Sequence, residues 1–172
     1  MEPTFVSFTS AVPVWAAGRE QEINLWLSFR TETKTSEKTV LRLTGSSAYI
    51  VKVDGTFIAF GPARAAHGFY RVDELDLTPY AKPDGSVVTV TVAGYNCNSY
   101  YHLDQPSFLC AELEGDGRIT AATGKSGFLC REAAEHEQKV QRYSFQRTFC
   151  EVYRLTPSLA AWESEKEVSG VP

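Results

Sequence analysis

Apolar and polar residues alternate along much of this chain with a period of two, the spacing of strands that bury one face. In "EINLWLSFR" (22–30), Ile23, Leu25, Leu27 and Phe29 fall on one side and Asn24, Trp26, Ser28 and Arg30 on the other. "TVLRLTG" (39–45) predicts a second strand, ended by Gly45. "YIVKV" and "TFIAF" flank Asp54-Gly55, a two-residue hairpin signal because both loop positions of a type I′ turn need positive φ. After Gly61-Pro62, "FYRVDELDL" (69–77) reads as another extended run, and "TPYAKPDG" (78–85) is turn chemistry. "VVTVTVA" (87–93) sets Val88, Val90 and Val92 against Val87, Thr89 and Thr91. "FLCAELEGDGRITAAT" (108–123) predicts a hairpin turning at Asp116-Gly117, and "RYSFQRTFCEVYRL" (142–155) a last long strand.

Helix is scarce. "REAAEHEQKV" (131–140) has good helix formers but only a weak apolar stripe. "TPSLAAWESEKE" (156–167) predicts a short helix, with Thr156 as N-cap and Pro157 in the first helical position. Eight or more short strands at this spacing predict an all-β fold, an antiparallel β-sandwich, since a lone sheet would leave one apolar face wet. At most one or two short helices are expected. The sandwich is expected over 1–160, with 161–172 a polar linker towards a downstream domain.

Composition supports this. A length of 172 residues suits one domain with a real core. Ten Phe, eight Tyr and three Trp against a single Met favour strands, where aromatic and β-branched side chains fit best. A net charge of -4 and no basic run argue against nucleic acid as a partner. No stretch approaches the ~20 apolar residues that span a bilayer, so no membrane partner is expected. "MEPTFVSFTSAVPVWAAGREQ" lacks the charged start and apolar run of an export signal. Its address therefore reads as cytoplasmic or unassigned. On that footing Cys97, Cys110, Cys130 and Cys150, far apart and without CxxC spacing, are expected to be free, buried thiols.

Catalytic chemistry is hard to find. In "VDELD" Asp73 and Glu74 point to opposite faces of a strand, so they do not make the paired carboxylates of glycoside hydrolysis. His67, His102 and His136 stand apart, without zinc spacing. Asn96, Asn98 and Asp104 are oxygen donors of the kind calcium takes from the loops of a sandwich rim, but lack EF-hand spacing; no cofactor is expected, with calcium as the alternative. Ser99, Ser107, His102 and Asp104 lie close in sequence without a nucleophile elbow. Two connections stand out instead, "GPARAAHGFY" (61–70) and "YNCNSYYH" (95–102). Arg64, His67, Tyr95, Asn96, Asn98, Tyr100 and Tyr101 are the residue types that stack on sugar rings and bond their hydroxyls. The same residues would equally fill a core edge or pack on a neighbouring domain.

"AYIVKVDGTFIAFGPAR", then "FYRVDELDLTPYAKPDGSVVTVTVAGY", then "FLCAELEGDG" resembles the amino-terminal β-sandwich of bacterial α-L-rhamnosidases and related glycosidases. The likeness rests on Tyr49, Val53-Asp54-Gly55, Gly61-Pro62-Ala63-Arg64, Asp76-Leu77-Thr78 and Asp84-Gly85, and covers most of 12–155. "YSFQRTFCEVYRL" looks like the strand that finishes such domains. The resemblance implies a jelly roll of the galactose-binding type. It also implies an accessory, non-catalytic role beside an (α/α)6 catalytic barrel that this chain does not contain. The partners it implies are that downstream catalytic domain and, through the two loops, plant or bacterial glycans. An independent carbohydrate-binding module for rhamnose- or galactose-type sugars and a purely structural docking domain are the alternatives. The stretch after the valine ladder supplies sugar and calcium ligands in some rhamnose-binding members; here it stands as "GYNCNSYY".

Overall fold

The computed structural model describes residues 6–166. Among them, nine strands follow in the order β1 (Leu25–Thr33), β2 (Thr39–Ser46), β3 (Ala48–Val53), β4 (Thr56–Gly61), β5 (Asp73–Asp76), β6 (Ser86–Gly94), β7 (Phe108–Gly115), β8 (Arg118–Ala122) and β9 (Leu129–Glu132). A helix, α1 (Pro157–Ser164), closes the described chain. Antiparallel pairing gives a five-stranded sheet, β4-β3-β6-β1-β9, and a four-stranded sheet, β5-β2-β7-β8. The fold is an all-β sandwich.

Alternation explains the core. Leu25, Leu27 and Phe29 of β1, Tyr49, Val51 and Val53 of β3, and Val88, Val90 and Val92 of β6 form one apolar layer. Leu41 and Leu43 of β2 and Leu109, Ala111 and Leu113 of β7 form the other, and all are buried. Ile23 departs from the pattern: Asn24 takes φ 55°, β1 starts only at Leu25, and Ile23 is left 53% exposed. Both predicted hairpins form. Asp54 and Gly55 have φ of 47° and 75°, and Asp116 and Gly117 have 49° and 75°. Asp54 Oδ1 also accepts from Val87 N at 2.8 Å, tying the β3–β4 turn to β6.

The second face of the five-stranded sheet is buried too. Trp26, Ser28, Arg30, Thr89 and Ala93 all point away from the core, yet all are shut from water. α1 packs over β6 and β3, and Trp162 Nε1 donates to Ser28 Oγ at 2.8 Å. Arg30 reaches under the end of α1, donating to the carbonyls of Trp162 at 2.9 Å, Lys166 at 3.0 Å and Glu165. On the four-stranded sheet, fully buried Glu112 accepts from Thr9 N and Ser10 N, each at 3.0 Å. That carboxylate holds the incoming chain.

Several expectations are corrected. Residues 142–155 form no strand; Arg142–Phe149 and His136–Tyr153 are isolated bridges. The segment runs with Tyr143, Phe145 and Leu155 largely exposed, so its alternation does not reflect a sheet face. The strand expected over 69–77 is confined to Asp73–Asp76, where β2 offers a pairing edge. In "REAAEHEQKV", where the sequence shows only a weak apolar stripe, Arg131 and Glu132 pair with β1 as part of β9, and turns follow. α1 spans 157–164, and Trp162 within it is buried. Residues 167–172 of the expected linker, and the first five residues of the chain, lie outside the described residues. Thr156 precedes α1 in an extended conformation, but its hydroxyl pairs with Ser158 Oγ at 2.9 Å and not with a backbone N–H. All four cysteines are free; Cys97 and Cys110 are buried, whereas Cys130, on an edge strand, and Cys150, within 142–155, are exposed. No helix among the described residues is long and apolar enough to cross a membrane.

Candidate functional site

β4 and β6 end, and β5 and β7 begin, at the same end of the sandwich, so the connections 62–72 and 95–107 meet there. The "GPAR" turn starts at a glycine for a steric reason. A Cβ on Gly61 would stand 2.6 Å from Asp73 Oδ2 and 2.7 Å from the Tyr49 hydroxyl. Those two groups are hydrogen-bonded to each other, and Arg71 Nε donates to Asp73 Oδ1 at 3.0 Å. Burial first, then the Asp73 carboxylate, pushes the Tyr49 phenol far above its usual range. The chain is thus clamped before the loop departs.

Beyond the clamp the two loops enclose a groove of about 540 Å³. Arg64, His67, Tyr100 and Tyr101 line it together with Phe69, Tyr70, Leu103 and Gln105. The Arg64 guanidinium lies 5.1 Å from the Tyr101 ring centroid, within cation–π range, and donates to the Tyr100 carbonyl. Tyr70 Oη donates to Gln105 Oε1 at 3.1 Å, and Gln105 Nε2 to Ser46 Oγ at 3.1 Å. The apolar rim is open: Tyr100 is 66%, Tyr101 63%, Phe69 60% and Leu103 60% exposed.

Four of the seven sequence-derived candidates therefore come together. Tyr95, Asn96 and Asn98 do not join them. Tyr95 stands edge-on to Trp26 at 5.8 Å, and burial pushes its phenol up to about 12. Asn96 is buried with φ 44°, and its Nδ2 donates to Glu20 O at 3.2 Å. Asn98 Oδ1 accepts from Asp104 N at 3.0 Å, closing the loop on itself. Ser99 Oγ accepts from the backbone N–H groups of Tyr101 and His102, each at 3.0 Å. Glu74 pairs with Arg42 at 2.5 Å, on the opposite side of β5 from Asp73. Among the described residues no group of three or more His, Cys, Asp and Glu is placed to hold a metal ion.

A second hollow, of about 360 Å³, was not legible in the sequence. It lies on the outer face of the five-stranded sheet and is lined by Lys52, Arg131, Glu135, His136, Tyr153 and Glu163, among others. His136 stacks flat on Trp26, centroids 3.7 Å apart, with Tyr153 edge-on to it at 4.7 Å. Burial, with a smaller contribution from Lys52 and against the pull of Glu135, lowers the His136 pKa to about 4. These residues come from four separated stretches, so no local motif announces them.

No protein-family model matches the sequence, and no curated protein does. Among solved structures, the fold matches part of a GH78 family rhamnosidase of Bacillus sp. GL1 with a TM-score of 0.79 and 24% identity, over 92% of this chain and 17% of that one. An α-L-rhamnosidase of Streptomyces avermitilis, solved with L-rhamnose, matches with a TM-score of 0.51 and 13% identity, over 92% of this chain and 13% of that one. The α-L-rhamnosidase of Aspergillus terreus gives 0.50 and 19%, over 72% of this chain and 17% of that one. At these identities the likeness is one of fold. The chain spans about one-sixth of the length of the Bacillus enzyme, the size of a single domain within it.

Proposed function

We propose that this chain is a non-catalytic accessory domain of an α-L-rhamnosidase-like glycoside hydrolase, docked by its loop end against a downstream catalytic domain of the same polypeptide. The observation that carries the reading is the collar of exposed Phe69, Tyr70, Tyr100, Tyr101 and Leu103 around one groove. Contiguous exposed apolar surface of this kind marks an interaction site more often than a free surface. The fold shared with a domain-sized stretch of larger rhamnosidases supports it. Two tests apply. The isolated chain should release no aglycone from an aryl rhamnoside. In the full-length parent, Tyr100→Ala with Tyr101→Ala should lower the melting temperature of the whole enzyme while barely changing that of the isolated domain. Turnover by the isolated chain, or equal effects in both contexts, would overturn the reading.

A carbohydrate-binding module is the second reading. Arg64 held over Tyr101, with His67 beside them on the wall, offers an aromatic face and polar donors in one place. Calorimetry with L-rhamnose and D-galactose, with and without calcium, separates the two. Sugar binding abolished by Tyr101→Ala would favour the module.

A further inference from the structure

The hollow on the outer face of the five-stranded sheet has a floor made from one cross-strand row. Ile50 of β3 lies opposite Thr91 of β6, Thr91 opposite Ser28 of β1, and Ser28 opposite Arg131 of β9. Leu159 and Glu163 of α1 and Glu135, His136, Glu151 and Tyr153 of the chain between β9 and α1 complete it. Two ion pairs stand on its wall: Lys52 Nζ is 2.6 Å from Glu163 Oε1, and Arg131 Nη2 is 2.7 Å from Glu135 Oε1, while the third carboxylate, Glu151, faces the uncharged His136 at the open side. The second pair is incompletely used. Glu135 is 2% exposed, yet its Oε2 has no hydrogen-bond partner, and neither has buried Arg131 Nε. Buried polar groups are rarely left so, because each forfeits a hydrogen bond it had in water.

A free acceptor and a free donor on one ion pair match hydroxyl groups, which donate and accept at once. The Tyr153 ring and the Leu159 and Ile50 side chains add apolar surface for a C–H face. The volume lies within the range of small-molecule sites. An anionic ligand would find no unpaired cation here, and Glu151, 59% exposed, is too open to solvent to repay the desolvation of a cationic one. We propose that this hollow binds a neutral polyhydroxylated ligand of monosaccharide size, its hydroxyls on Glu135 and Arg131 and its ring against Tyr153. Both unmet atoms are closed to bulk water as they stand, so seating the ligand requires the Arg131–Glu135 pair to open towards the hollow.

This proposal does not rest on the accessory-domain reading, and the groove at the loop end serves as its control. L-rhamnose, D-galactose and myo-inositol are titrated into the 1–172 chain, followed by calorimetry and backbone amide shifts. Saturable binding of at least one is expected, with shifts centred on 133–136 and 151–153. Glu135→Gln should weaken it by about tenfold or more, the loss of one good polar contact. Tyr101→Ala, in the loop groove, should leave it unchanged. Should Glu135→Gln fail to fold, Tyr153→Ala, at a 40% exposed position, carries the same expectation. Failure of all three probes to titrate would overturn the proposal. So would binding only of charged probes such as glucuronate or glucosamine, or loss of binding in Tyr101→Ala with Glu135→Gln unaffected.

Discussion

Arg30 Nη1 donates to the Trp162 carbonyl at 2.9 Å, and the guanidinium that does so is only 2% exposed. A planar donor with five N–H groups is suited to gathering several carbonyls at a helix C-terminus, where they lack partners within the helix. Arg30→Met keeps much of the volume and removes the donors. It should cost about 3 kcal/mol, the upper end for a charge-assisted hydrogen bond, read from urea unfolding. Arg30→Lys should recover only part of it, since a point charge cannot span the same carbonyls.

Trp162 is the anchor on the other side of that contact. Its ring is buried between Ser28 below and the Arg131 guanidinium, 5.0 Å from the ring centroid. Trp162→Ala should cost about 3–5 kcal/mol, as for other large-to-small changes in a core. A double-mutant cycle with Arg30→Met should show coupling above about 0.5 kcal/mol, since the residues touch; strict additivity would contradict the arrangement.

Gly61→Ala should destabilise by about 1–3 kcal/mol, because the added methyl collides with the Tyr49–Asp73 hydrogen bond. Tyr49→Phe in the same background should relieve part of the clash. By contrast Arg64→Ala and Tyr101→Ala, on the exposed rim, should shift stability by less than about 0.5 kcal/mol. Thermal melts of the four variants check the contrast.

His136 predicts an acid sensitivity whose sign can be worked out. Its folded pKa, near 4, lies below the unfolded value of about 6.5. Between those values the unfolded chain takes up a proton that the native ring refuses, so stability is intact above about pH 6.5 and falls as pH drops towards 4. The total loss is roughly 3 kcal/mol, at 1.36 kcal/mol per pH unit. Glu151 Oε1 lies 3.3 Å from Nδ1 but without hydrogen-bond geometry, so it does not rescue the charged form. His136→Phe, which keeps the stack on Trp26, should flatten the stability profile between pH 4 and 6.5.

The strands that alternate strictly, β1, β3 and β6, were readable because one face of each meets the opposing sheet. Asp54-Gly55 and Asp116-Gly117 were readable because the required φ is written in the residue types. Residues 142–155 misled, since alternation records only which side chains are apolar, and Tyr143 and Phe145 remain open to solvent without a partner strand. Arg64, His67, Tyr100 and Tyr101 were found by their chemistry and meet in one groove, whereas Tyr95 and Asn96 of the same loop turned inward as scaffold. The polar hollow was invisible because cross-strand register, not sequence proximity, sets Ile50, Thr91, Ser28 and Arg131 in a row.

Glu112 grips residues 9–10 on one sheet, and Arg30 grips residues 162–166 on the other. Anything joined before the first grip or after the second is therefore leashed to a rigid block, not to a fraying thread. Fluorophores placed at Ser10 and Lys166 should report one fixed separation with a narrow distribution, and the spread should widen first at whichever end loses its buried charge.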